Sequence, residues 1–235
     1  MGHRPHFPDF IKRNPCVDGE RVRIWTVVSE LFGQNAYVAA LSGRDDCLVV
    51  DPGFDTATLV ERLQSDHLTP KAVLVTHGHA DHIAGIASVK AHWPDCPIIA
   101  GKNEAEKLTD PKLNLSHDFG FPIVSPAADI LVADGEALSV AGLELQVREI
   151  PGHSSGHVVF ILKTGTPWRV FVGDVIFSGS VGRTDFPDGD FELLAQGIRA
   201  KLYSLPDETL LLPGHGPATT VGREKTSNPF VRRNA

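Results

Sequence analysis

Cysteine is scarce in this chain: Cys16, Cys47 and Cys96 are the only three, an odd number set far apart. That excludes a disulfide framework and a thiolate metal site, and points to small buried thiols in a reducing compartment. Long apolar runs are missing too, and no stretch approaches the roughly 18 residues of a membrane span. The first 25 residues set Arg4, Asp9, Lys12 and Arg13 among the breakers Gly2, Pro5, Pro8, Pro15 and Gly19. They hold no signal-peptide core, so a cytoplasmic protein without a membrane partner is expected. Positive charge is in deficit. A formal net charge of −7 argues against nucleic acid as a partner, since phosphate binding needs a concentrated basic face. Tandem repeats, low-complexity segments and linkers are absent. What remains is 235 residues, 42% hydrophobic and 22% charged, the composition of one globular domain spanning 1–235. It has an irregular lead-in at 1–20 and a short tail at 218–235, and its oligomeric state is left open.

Hydrophobic patterning predicts mixed strands and helices. Strands are expected at 22–28, 36–41 and 47–50, the last two joined as a hairpin by Ser42-Gly43-Arg44-Asp45-Asp46. A helix follows over 56–64 with Asp55 as N-cap. A strand at 72–75 leads to a helix over 82–92, stopped by Pro94 and Pro97. Then come a strand at 97–100, a helix at 102–108 and a long loop at 110–126, a length uncommon unless functional. Strands at 143–150, 158–162, 168–172 and 209–212 complete the chain. Strands and helices in both halves imply helices packed on the outer faces of two sheets.

Residues 76 to 82, Thr-His-Gly-His-Ala-Asp-His, hold four ligating side chains, His77, His79, Asp81 and His82. A folded core gains nothing from such density, because each group must be desolvated and hydrogen-bonded. A purification tag would be a uniform histidine run without Asp. In an extended or looped segment His77 and His79 point to one side, and Asp81 and His82 turn toward a neighbouring point. The spacing suggests two adjacent metal ions, with donors suited to Zn, Fe or Mn.

Three more predicted strand ends carry His153, Asp174 and His215, each beside glycine. Taken singly, each reads first as a satisfied histidine or a loop-capping aspartate. Together with the heptapeptide they make a dinuclear set: His77, His79 and His153 for one ion, Asp81, His82 and His215 for the other, and Asp174 bridging. A water shared by such a pair has its pKa lowered from 15.7 toward about 7. Asp81 and Asp174 are then the catalytic carboxylates beside a metal-bridging hydroxide.

The motifs THGHADH, PGHSSGH, GD and PGHGP, in this order and spacing, resemble the metallo-β-lactamase superfamily. That resemblance implies an αββα four-layer sandwich with a metal site at one edge. Within the superfamily GHVVF (156–160), GDVIFSGSVGRTDFPDGD (173–190), LPGHGP (212–217) and Asn228-Pro229-Phe230 are similar to the glyoxalase II type, in its short form without a separate C-terminal helical domain. The resemblance carries the ligand allocation over and implies that Asp51 orients ligands from behind, while Thr76 and His157 are expected to hydrogen-bond beside them. The implied activity is hydrolysis of a thioester, S-D-lactoylglutathione or a related hydroxyacylglutathione. Two divalent ions are implied, Zn first, with Fe or Mn as alternatives. The implied partner is a small glutathione-linked molecule.

Family members with the extra domain draw on it for basic groups that hold glutathione, whereas here the chain ends at Ala235, so the acyl group and thiol carrier stay open. Arg223, Lys225, Arg232 and Arg233 read as a solvated basic tail. Arg183 is expected to pair with a neighbouring Asp and fix its loop. With His117 and Phe119 it is also a candidate for contact with substrate, and Phe121 lies on the same long loop. His3, His6, His67 and His92 read as surface residues.

Within the superfamily the rival activity is a mononuclear-iron persulfide dioxygenase, which shares the Gly-Arg-Thr-Asp-Phe segment. Those enzymes typically carry Cys where Val181 stands and Pro-Ala-His where Pro213-Gly214-His215 stands, and both differences favour the hydrolase. Outside enzymes, the alternative is a non-catalytic metal-binding module, whose ligands would erode; here all seven stand.

Overall fold

The computed structural model describes residues 22–232. The lead-in at 1–20 with His3, His6 and Cys16, and Arg233 in the tail, lie outside the described residues. The first sheet is ordered β1 (Val22–Val28), β2 (Asn35–Leu41), β3 (Asp46–Val50), β4 (Thr69–Val75), β5 (Ile98–Gly101) and β6 (Ile130–Val132). The expected hairpin is present as the antiparallel pair β2/β3. From β3 onward the pairs are parallel. Parallel neighbours need crossovers, supplied by α1 (Thr56–Ser65), by α2 (Ala80–Ile83) with α3 (Ile86–His92), and by α4 (Ala105–Thr109).

The second sheet begins with β7 (Ala137–Val140), β8 (Leu143–Glu149), β9 (Val158–Leu162) and β10 (Arg169–Gly173). A small hairpin, β11 (Ile176–Phe177) and β12 (Ser180–Val181), leaves the sheet. Helix α5 (Phe191–Gly197), extended by a wider turn to Leu202, then crosses over to β13 (Leu210–Pro213), which lies parallel to β10. β14 (Thr219–Thr220) adds the edge, and α6 (Val221–Ser227) follows.

Period-two alternation sorts the side chains into layers. On β4, Ala72 and Leu74 face the space between the sheets, where they meet Leu48, Phe160, Phe171 and Leu212. Val73 and Val75 face outward onto Leu59 and Leu63 of α1 and Ile86 and Val89 of α3. On β9, Val159 and Ile161 face Leu194, Ile198 and Leu202. The result is the expected αββα sandwich.

Three local expectations are corrected. Asp55 stands at the expected N-cap position of α1, but its side chain makes no cap; the carboxylate accepts the Glu30 N–H at 2.7 Å, fastening the β1–β2 loop instead. The helix expected over 82–92 is two helices, because the Gly85 N–H turns to the Pro52 carbonyl at 2.8 Å. A side chain at 85 would strike Thr56 and the Pro52 and Gly53 carbonyls. The segment read as a solvated tail folds, with Val221, Glu224, Asn228 and Val231 buried and Lys225 paired to Asp207 at 2.6 Å, while Arg223 and Arg232 are exposed as expected.

The carboxyl ends of β3, β4, β8, β10 and β13 gather at one edge. The first sheet grips the second there: Tyr37 Oη and Asn35 Nδ2 donate to the Pro213 carbonyl at 2.7 and 2.9 Å, and the Val158 N–H donates to the Thr76 carbonyl at 2.9 Å.

Candidate metal centre

All seven predicted ligands come together at this edge. His77, His79 and His153 each bring one donor atom within 4.8 Å of the other two. The same holds for Asp81, His82 and His215, and for His77, His82 and Asp174. Asp174 stands between the groups, with Oδ1 3.3 Å from His82 Nε2 and Oδ2 3.6 Å from His153 Nε2 and 3.5 Å from His215 Nε2. His215 Nε2 is also 3.2 Å from Asp81 Oδ2.

The hydrogen bonds behind the rings set the tautomers. Thr76 Oγ1 donates to Asp51 at 2.6 Å and so receives His77 Nδ1–H at 3.1 Å. His82 Nδ1 faces Asp51 Oδ2 at 3.0 Å, His153 Nδ1 the Arg183 carbonyl at 2.8 Å, and His215 Nδ1 the Phe32 carbonyl at 3.2 Å. In its neutral form each of these four rings spends its Nδ1–H on an acceptor and turns Nε2 to the site as the ligating atom. His79 turns Nδ1 inward, 3.0 Å from His153 Nε2.

Asp51 serves two ligands at once. It also accepts the Thr76 N–H at 2.8 Å, and it does so from a backbone at φ 47°, a left-handed conformation that non-glycine residues hold only where the surroundings enforce it. His157 Nε2 accepts the Asp174 N–H at 3.1 Å, and its ring stacks on His77 with centroids 4.6 Å apart. Asp51, Thr76 and His157 thus stand directly behind the donor set. Two glycines make room. A side chain at Gly173 (φ 47°) would strike Thr76 and His157, and one at Gly214 would strike Asp174 and His82.

The donor set fits divalent cations. His77 Nε2, His82 Nε2 and Asp174 Oδ1 are buried polar atoms without a hydrogen-bond partner, and such groups are normally satisfied. Burial, followed by the neighbouring rings, holds His77 well below the ordinary imidazole range and His79 down at about 3. Both stay neutral, the ligating form. At the other end burial would also depress His82, but the Asp81 and Asp174 carboxylates outweigh it and pull it well above its usual value. Burial likewise opposes ionisation of Asp174, and His82 outweighs it, holding the carboxyl well below the usual range. The site thus demands positive charge beside its carboxylates, and a bound cation meets that demand.

A cavity of about 550 Å³ opens over the site, walled by Phe32, Phe119, Phe121, Phe177 and Phe186, with Asp81, Asp174 and His215 at its floor. Arg183 and Phe119 line it; His117 does not, and its ring lies exposed against Asp118 at 3.0 Å. Arg183 makes the expected ion pair, with Asp185 at 2.6 Å, and stacks over Phe186. His67 and His92 are exposed, as expected.

A second set of groups was not foreseen. Glu104 is fully buried; it accepts the N–H of Gly78, between two ligands, at 2.8 Å, and the Ser154 hydroxyl, next to a third, at 2.6 Å. Lys107, also buried, donates to Glu104 at 3.1 Å, to Asp188 at 2.5 Å and to Ser154. In sequence this pair reads as an ordinary i, i+3 surface pair on a charged helix. Only the small residues opposite it, Gly78 and Gly156, hint that something packs closely there.

Residues 30–215 match the family model of the metallo-beta-lactamase superfamily. The chain belongs to that superfamily. Hydroxyacylglutathione hydrolase GloC of Haemophilus influenzae is 38% identical over 190 residues, covering 78% of this chain and 86% of that protein. Among solved structures, that of BLEG-1 B3 metallo-beta-lactamase superposes with a TM-score of 0.84 at 35% identity, covering 88% and 99% of the two chains. TTHA1623 in a di-iron-bound form gives 0.75 at 34% identity, covering 87% and 98%. The superfamily binds divalent metals, and the His/Asp cluster of this member could do so. Among the described residues no helix is long and apolar enough to cross a membrane.

Proposed function

We propose that this chain is a dinuclear metal-dependent hydrolase that cleaves a thioester, with S-D-lactoylglutathione or a related hydroxyacylglutathione as substrate. The observation that carries this reading is the position of Asp174 between two groups of imidazole and carboxylate donors. His77, His79 and His153 would hold one ion, Asp81, His82 and His215 the other, and Asp174 both. When bound, two divalent ions supply a water acidic enough to act as a nucleophile near neutral pH and an electrophile for the acyl oxygen. Similarity to the Haemophilus influenzae hydroxyacylglutathione hydrolase supports the substrate class, and the di-iron form of TTHA1623 supports two ions.

The chain's own residues do the rest. Asp51, Thr76 and the Arg183 and Phe32 carbonyls fix the tautomers of His77, His82, His153 and His215, so these four rings turn Nε2 to the site. The phenylalanine wall excludes bulk water and receives the apolar part of the substrate. Among the described residues Arg183 is the cavity's one Lys or Arg side chain, and it would meet a substrate carboxylate. A thiol with a pKa of about 8.5 leaves as thiolate without a proton donor, which suits a cavity whose carboxylates are all in the donor set. An amine leaving from an amide or lactam needs that proton. Zn is the first choice of metal, with Fe or Mn as alternatives. We further propose a cytoplasmic setting, supported by two buried, unpaired thiols, Cys47 and Cys96, and one domain over 1–235, supported by the core that both sheets share.

The metal-loaded protein is expected to hydrolyse S-D-lactoylglutathione with release of free thiol. It should turn over a cephalosporin at least about a hundredfold more slowly, on the scale that general acid catalysis is worth. It should consume no oxygen with glutathione persulfide. Oxygen uptake on the persulfide without thioester cleavage overturns the reading in favour of a dioxygenase, and faster lactam than thioester turnover overturns it in favour of a lactamase.

A further inference from the structure

The two proposed ion positions are braced differently. Asp51 backs one ligand from each, His77 through Thr76 and His82 directly. Glu104 touches neither ring. It holds the two backbone loops that carry His77, His79 and His153, through the Gly78 N–H at 2.8 Å, the Gly156 N–H at 2.7 Å and the Ser154 hydroxyl at 2.6 Å. Among the described residues, no hydrogen bond or ion pair of Glu104, Lys107 or Asp188 goes to Asp81, His82 or His215.

The packing around Glu104 is closed. Its turn fits between the two loops so tightly that a Cβ at Gly156 would strike Asn103, and one at Gly78 would strike the Lys107 side chain. A fully buried carboxylate is expensive unless its charge is matched. Lys107 matches it and passes the contact on to Asp188, which in turn accepts the Ser155 N–H at 2.9 Å. A buried network that must be fully satisfied admits one arrangement of the loops it joins.

We propose that Glu104, with Lys107, is a positioning group for the His77/His79/His153 ion alone, so that the two ions are held with separately adjustable affinities. This rests on the dinuclear reading above, but not on the identity of the substrate. Glu104→Gln keeps the shape while turning an amide donor against one of the N–H or O–H donors that the carboxylate accepts. Outer groups of this kind typically change metal affinity about 10- to 100-fold.

The test is a Zn(II) titration of the full chain against a chromophoric chelator. His153→Ala and His215→Ala identify which binding step belongs to which ion. Glu104→Gln is expected to weaken the step lost in His153→Ala about 10- to 100-fold and to leave the step lost in His215→Ala within about twofold. Ser154→Ala, which removes one hydroxyl and keeps the ion pair, is expected to weaken the same step by a smaller factor, and it reports even if Glu104→Gln does not fold. Equal weakening of both steps, an unchanged His153 step in both variants, or a single step in the parent chain overturns the proposal. Two steps in a chain that fails to cleave thioesters would overturn the substrate reading and leave this one standing.

Discussion

Asp174→Ala is expected to lower thioester hydrolysis by about a thousandfold or more, the scale on which single members of an interdependent catalytic set act. Its two oxygens face both donor groups, one toward His82 at 3.3 Å and the other toward His153 and His215 at 3.6 and 3.5 Å. Removing them separates the groups and takes away a negative charge that His82, His153 and His215 share. The fold should survive, because the Asp174 backbone N–H stays with His157 and the Gly214 N–H stays with the Gly173 carbonyl. Asp174→Asn keeps the shape and one acceptor oxygen but loses the charge, so its activity should fall between the parent and Asp174→Ala. Full activity in Asp174→Ala would contradict the bridging role.

The second large effect is expected at Asp51, which contacts no substrate-facing atom. Its carboxylate accepts the Thr76 N–H, the Thr76 hydroxyl and His82 Nδ1 at 2.8, 2.6 and 3.0 Å, and it is 2% exposed. Asp51→Asn keeps a residue that tolerates positive φ but sets an amide donor against groups that all donate. Metal affinity should fall about 10- to 100-fold with the fold intact. Asp51→Ala strands three buried donors and puts alanine at φ 47°. Each stranded group adds about 1–3 kcal/mol, so a clear loss of denaturation midpoint should accompany the metal defect. A Asp51→Asn chain that binds metal and turns over like the parent would show that His77 and His82 hold their tautomers without it.

How far the sequence could be read follows the range of the interactions involved. The seven donors were legible because a metal site concentrates chemistry that no core would tolerate, and four of them lie close together in sequence between His77 and His82. The strands were legible where alternate positions face two different apolar layers, as on β4 and β9. Asp55 was misread because its local pattern matches an N-cap, while its partner, the Glu30 N–H, lies in another loop. The break at Gly85 depends on the Pro52 carbonyl, and the folding of 219–227 on a core distant in sequence. Glu104 and Lys107 were opaque for the same reason: a Glu and Lys three apart suit a surface helix turn, and only the tertiary packing against Gly78 and Gly156 makes them interior. His117 and Phe119 sit on one loop with equal sequence warrant, yet only Phe119 turns into the cavity.

The measurement that bears most directly on the account is the number of Zn(II) ions bound per chain, followed together with hydrolysis of S-D-lactoylglutathione as a chelator-stripped protein is reloaded. Two ions per chain are predicted, with turnover appearing as they load and lost again on stripping. Saturation at one ion with full thioester turnover, or turnover that persists in the stripped protein, would contradict it.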